Sequence, residues 1–247
     1  PANDCAQYSI DMDDLNLVSF YALPLDNTIG NVLGGIESAN PGVLGEGVSA
    51  NYINGGWMGS LLTIDPEDGY WINVTGYPVL YVEGLPTDPE TLYELHEGSN
   101  LISYPFADSA SIEQTIPEEA QQSIIGIIGE GVSAMNNDGV WMGGLLALHG
   151  TKGYWFITSE AVDFTYNSPA SGDGLTRQTK VRHMIIPEAY TFIQSTNQAF
   201  YFVDIATIDG EPLDTEDLII AYNRDVVIGA RYWYGETTDV PAMGTDG

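Results

Sequence analysis

Apolar positions along this chain fall in short runs, mostly about four to eight residues long, which is strand length. Gly, Asn, Asp and Pro punctuate them, as turns require. NLVSFYAL, from Asn16, mixes β-branched and aromatic side chains in partial alternation and predicts a strand. NTIGNVLGGI then places Ile29, Val32, Leu33 and Ile36 at helical spacing, with Asn27 or Thr28 as the cap. GVSANYI, WMGSLLTI, GYWINV and PVLYVEG follow as four further strands.

The pattern then repeats. GEGVSANYINGGWMGSLL begins at Gly45, and GEGVSAMNNDGVWMGGLL begins at Gly129. NLVSF at Asn16 answers NLISY at Asn100, and GYWI at Gly69 answers GYWF at Gly153. Every match keeps an offset of 84 residues, so the chain carries an internal duplication. The second helix candidate, SIEQTIPEEAQQSII, lies between the same two blocks as the first. Each copy therefore reads as strand, short helix, then several strands.

These patterns divide the chain as follows. A polar opening segment covers residues 1–13, repeat 1 covers 14–83, and a connector covers 84–97. Repeat 2 covers 98–166. A linker rich in Ser, Pro and Gly covers 167–177. The last segment, 178–247, changes character: QAFYFVDIATI, DLIIAY and VVIGARYWY are strong strand patterns, and NRD at Asn223–Asp225 joins two of them as a tight hairpin. It reads as a β-sandwich-like module. Its few strands and turn-like final residues lead us to expect a sandwich completed from outside these residues, because an unfilled sheet edge invites a strand from another chain. The fold class expected is mainly β with short helices: two homologous strand-rich α+β repeats followed by the sandwich-like module.

Charge changes the picture of partners. The chain has 35 acidic and 6 basic residues, a formal net charge of -29, and no Lys or Arg precedes Lys152. Nucleic acid needs clustered Lys and Arg and is excluded on this reading, and an anionic membrane surface is disfavoured. No apolar run approaches the roughly 18 residues that span a bilayer, so no membrane insertion is expected. Most of the acidity is explained by a solvated surface, with salt water or bound calcium as further reasons. The lone Cys5 cannot form an intrachain disulfide, but could link to another chain. Asn73 opens a formal glycosylation sequon, NVT.

Catalytic templates are missing: there is no P-loop, no H-E-x-x-H, no nucleophile elbow and no paired cysteines. The best enzymatic pair is Glu46 and Glu130, the acids of the two GEGVSA blocks, since a glycosidase uses two carboxyls. A Glu between glycines reads more simply as a turn whose side chain accepts backbone hydrogen bonds. Trp57 and Trp141 recur in register and are the ligand-binding candidates, because exposed indoles stack on sugar rings. Core packing is the favoured reading for the recurring aromatics. Asp209, Asp214 and Asp217, in DGEPLDTED, are the metal candidates, with calcium as the metal that a carboxylate-rich loop suggests. A solvated acidic turn is the favoured reading of this loop, and no cofactor is required.

The assembled motif NLVSF, GEGVSA, GWMGSLL and DGYWI resembles a module of large secreted and surface proteins of marine bacteria and of structural proteins of marine tailed phages. The final segment is similar to the β-sandwich that follows it there, with its D-x-I-x-A-[FY]-x-x-[DG] pattern matched by Asp217, Ile219, Ala221, Tyr222 and Asp225. The resemblance implies an extracellular, cell-surface or virion location and names no activity. The resulting expectation is a non-catalytic structural or assembly module of a surface layer, filament, adhesin or virion appendage. Its partners would be other subunits of the same protein or the rest of a larger polypeptide, with glycans a further possibility. The alternative is a carbohydrate-binding module of a secreted enzyme.

Overall fold

Strand outweighs helix in the fold, 46% against 9%, so the chain is mainly β. The structure, a computed structural model, describes residues 5–169 and 185–245. Most of the 167–177 linker, and the basic residues Arg177, Lys180 and Arg182, lie outside the described residues.

Two five-stranded antiparallel sheets dominate. The first runs Leu15–Val18, Tyr70–Asn73, Gly42–Leu44, Ser49–Ile53 and Gly56–Gly59 in spatial order. The second runs Gly98–Ile102, Tyr154–Thr158, Ile124–Ile128, Ser133–Asn137 and Val140–Gly143. The strand order is the same in both. Register follows suit: Leu17 pairs with Trp71, and Leu101 pairs with Trp155. Each sheet covers its own core. Val18, Phe20, Val43, Ile64, Tyr70 and Ile72 are buried in the first, and Ile102, Tyr104, Ile127, Leu148, Tyr154 and Phe156 in the second. These two sets differ by 84 position for position.

The helices are shorter than the spacing predicts. The first candidate forms one α-turn, Ile29–Val32, and a 3-10 segment, Gly34–Ala39. The second forms Ile112–Thr115 and Glu118–Gln121, broken at Pro117, whose ring cannot continue a helix. Ile29, Val32 and Ile36 still bury the face that the pattern assigns them.

The opening segment is more than polar. Ala6–Asp11 is a strand paired with Val79–Pro86, and Ile10 and Met12 enter the first core. Alternation in AQYSID carried that signal, with Tyr8, Ile10 and Met12 two residues apart. The connector is also folded: Tyr93–Leu95 pairs with Val162–Phe164, and Tyr93 and Leu95 are buried in the second core.

In the terminal segment, Gln198–Val203 pairs with Thr238–Met243, and Leu218–Asn223 pairs with Val226–Tyr232 across the expected turn, where Arg224 has φ 57°. The two ladders touch closely. A Cβ on Gly229 would lie 1.7 Å from the Pro241 carbonyl oxygen, so only glycine fits there.

Candidate functional site

The residues that repeat most strictly converge where the two sheets meet. Leu17, Trp71 and Leu101 are buried together there, with Leu15 and Trp155 packed against them. Their Leu–Trp pairs are the edge and second strands of each sheet. Tyr and Trp of each GYW therefore separate: the Tyr turns into its own core and the Trp into the seam.

Glu46 and Glu130 lie on this seam and act reciprocally. The Glu46 carboxylate accepts the backbone N–H of Leu101 at 2.8 Å, and the Glu130 carboxylate accepts that of Leu17 at 3.1 Å. Each carboxylate thus satisfies an edge-strand donor of the opposite repeat. Other seam bonds obey the same exchange. Gly69 N–H donates to the Leu101 carbonyl at 3.0 Å, and Gly153 N–H to the Leu17 carbonyl at 3.2 Å. The Ser103 hydroxyl donates to the Pro66 carbonyl at 2.7 Å, and the Ser19 hydroxyl to the Lys152 carbonyl at 2.7 Å.

The glycines of GYW are required by this approach. A Cβ on Gly69 would meet Leu101 Cδ1 at 2.9 Å, and one on Gly153 would meet the Val18 carbonyl oxygen at 2.7 Å. The Tyr of each motif ties a turn beside the seam. Tyr70 Oη accepts the Asp65 N–H, and Tyr154 Oη accepts the His149 N–H, both at 2.8 Å.

Charge breaks the symmetry. Glu130 is met by Lys152 Nζ at 3.1 Å, while Glu46 is met by His96 Nε2 at 2.7 Å. The residue 84 before Lys152 is Asp68, which raises the negative charge around Glu46. Burial pushes the Asp68 carboxyl up to about 6, reinforced by Asp65, Glu46 and Glu67 and opposed by the Tyr70 hydroxyl. The hydrogen bond to Glu46 raises His96 above its ordinary value, aided by the Glu97 carbonyl and opposed by slight desolvation. Burial, with the Lys152 charge, lowers His149.

The remaining candidates are placed as follows. Trp57 and Trp141 are half-buried against the first and second cores. Their indole N–H groups donate inward, to Glu37 at 3.0 Å and Gln121 at 2.8 Å. Each ring thus packs against its own core and bonds within its own repeat. Asp209 occupies a turn with φ 53°. Asp214 accepts the Glu216 N–H, and Asp217 accepts the Asp214 N–H, both at 2.8 Å. Among the described residues no three His, Cys, Asp or Glu side chains are grouped to hold a metal ion, and Asp209, Asp214 and Asp217 are not brought together as one cluster. The Asp214 and Asp217 carboxylates close local turns. Cys5 is exposed and unpaired. No helix among the described residues is long and apolar enough to cross a membrane.

No family model matches the chain, nor does any curated protein or solved structure.

A second polar site lies where the terminal segment meets repeat 2. Asp239 is fully buried. Its carboxylate accepts the Ser133 N–H at 2.9 Å and the Gly144 N–H at 2.7 Å, one on each oxygen. Arg231 lies 3.3 Å from the same carboxylate and donates to the Gly131 carbonyl at 2.5 Å. Gln198 completes the junction by donating to the Gly129 carbonyl at 3.0 Å and accepting the Gly131 N–H at 3.3 Å. Burial raises the Asp239 carboxyl against the lowering effect of Arg231 and the two amides. Sequence reasoning missed Asp239, because the amides it accepts, Ser133 and Gly144, lie 106 and 95 residues upstream and nothing local marks it.

Proposed function

We propose that this chain is a non-catalytic structural or assembly module of an extracellular surface layer, filament, adhesin or virion appendage. One observation carries the reading: the two carboxylates best placed by repetition for catalysis are both occupied as backbone acceptors across the seam. A general acid or nucleophile must reach a substrate, whereas these groups each serve an edge-strand amide and a neighbouring basic side chain, His96 or Lys152. Glu46 and Glu130 share no partner, and each bonds the opposite repeat. The strictest repeat positions therefore support the joining of two β units. The strong net negative charge suits a partner surface that is neutral or cation-bearing, and the partners in this reading are other subunits or the rest of a larger polypeptide.

Light scattering and negative-stain electron microscopy of the purified chain, over a concentration series with and without calcium, test the assembly role. Ordered multimers are expected, together with no hydrolysis of a polysaccharide panel. Glycoside hydrolysis abolished by Glu46→Gln or Glu130→Gln, in variants that keep seam amide protection, would overturn the reading. Glycan binding lost in both Trp57→Ala and Trp141→Ala would favour the carbohydrate-binding alternative.

A further inference from the structure

The face of repeat 2 that receives the terminal segment has a counterpart in repeat 1, and the two differ at one decisive position. In repeat 2, the Ser133 and Gly144 amides point at the two oxygens of Asp239. The equivalent residues in repeat 1 are Ser49 and Ser60. These bond each other: the Ser49 N–H donates to the Ser60 hydroxyl at 3.2 Å, and the Ser60 N–H donates to the Ser49 carbonyl at 2.8 Å. Ser60 Oγ thus stands where a carboxylate oxygen of Asp239 stands in repeat 2. A side chain at position 144 would also force two docked side chains to shift. A Cβ there would lie 2.6 Å from Tyr234 Oη and 2.7 Å from Asp239 Oδ1. Burial records the outcome. Gly131, Met142, Gly143 and Gly144 are half-buried, while their counterparts Gly47, Met58, Gly59 and Ser60 are exposed.

We propose that the repeat face is a receptor for a carboxylate-bearing β module, open in repeat 2 because residue 144 is glycine and closed in repeat 1 by Ser60. Two backbone N–H groups grip both oxygens of one carboxylate, and the Gly131 carbonyl fixes the adjacent guanidinium. This geometry selects an Asp beside an Arg and rejects a neutral strand end, which would leave two buried donors unpaired. In repeat 1 the hydroxyl of Ser60 takes the donor in advance, and its Cβ occupies the space that Tyr234 and Asp239 need.

Amide hydrogen exchange on the full chain tests it. Gly144→Ser is expected to accelerate exchange at Ser133 roughly tenfold or more, as docking is lost. Leu17 and Leu101, on the seam, should stay protected and report an intact fold. Gly144→Ala, which adds the clashing Cβ without the hydroxyl, runs in parallel and is expected to loosen the junction as well. It also keeps the test decisive if the serine variant fails to fold. Wild-type protection at Ser133 in either folded variant would overturn the proposal. The double variant Gly144→Ser with Ser60→Gly should transfer protection to Ser49, within one chain or through a second copy seen as a dimer by light scattering. Rapid exchange at Ser49 in that variant would overturn the claim that Ser60 closes repeat 1.

Discussion

Single residues on the seam carry more than their local sequence suggests. Glu130 is an acid between two glycines, and the pattern GEG shows a turn with an acceptor; what it accepts lies 113 residues away. Removing it leaves the Leu17 N–H without its partner in a mostly buried setting. Glu130→Ala is therefore expected to cost about 1–3 kcal/mol, read by urea unfolding. Glu46→Ala should cost less, because the Glu46 side chain is 40% exposed against 28% for Glu130 and water can replace it. Asn16 and Asn100, the first letters of NLVSF and NLISY, behave similarly. Both are buried, and their side chains bind the Ile72 and Phe156 carbonyls. The motif letters were legible as a repeat, while their bonding partners were not, since hydrogen bonds between distant strands leave no periodicity.

At the scale of elements, alternation predicted most strands close to where they occur, because each buries one face. The helices fell short for a physical reason. A single turn anchored by Ile29 and Val32 suffices to cap the core, the chain continues as a 3-10 segment from Gly34, and Pro117 breaks the second candidate. The strand Ala6–Asp11 was readable from its period-two pattern but is masked by its polar outer face. Close approach of elements is the feature least visible in sequence. Gly153 looks like an ordinary turn glycine, yet its α-carbon faces the Val18 carbonyl and Leu17 of the other sheet. Gly153→Ala is expected to lower stability by about 1–3 kcal/mol through overpacking, with Gly69→Ala behaving alike. Thermal unfolding of the two variants checks this, and a neutral Gly153→Ala would show that the seam yields freely.

For the whole molecule, the unequal charges on the two sides of the seam set a pH response. The Asp68 carboxyl is raised to about 6, so between its unfolded value and about 6 the folded chain holds the proton more tightly. Stability therefore rises as pH falls through about 6 and is lost again on returning to neutral pH. His96 acts in the same direction. Its raised value adds stability below its unfolded value, and this fades as pH climbs through the folded one. Asp68 and His96 are expected to raise the melting temperature from pH 7.5 to about pH 5.5, opposed by His149, whose lowered value costs stability as pH falls through its unfolded value. Asp68→Asn should raise stability at pH 7 by about 1 kcal/mol after allowing for solvent screening, and should flatten the profile. A profile unchanged by Asp68→Asn would locate the titration elsewhere.

The reciprocal bonds at the seam have a wider meaning. Leu17 answers Leu101, Glu46 answers Glu130 and Gly69 answers Gly153, which is the arrangement of an isologous homodimer interface written into one polypeptide. In a true homodimer every substitution would strike both halves at once, so an Asp at position 68 would confront Glu46 twice. Covalent fusion removes that obligation. One half holds Lys152 against its glutamate while the other holds Asp68, and one half holds Gly144 while the other holds Ser60. Joining the halves thus lets a two-fold object acquire a distinct front and back, which gives whatever abuts this chain two different faces to recognise.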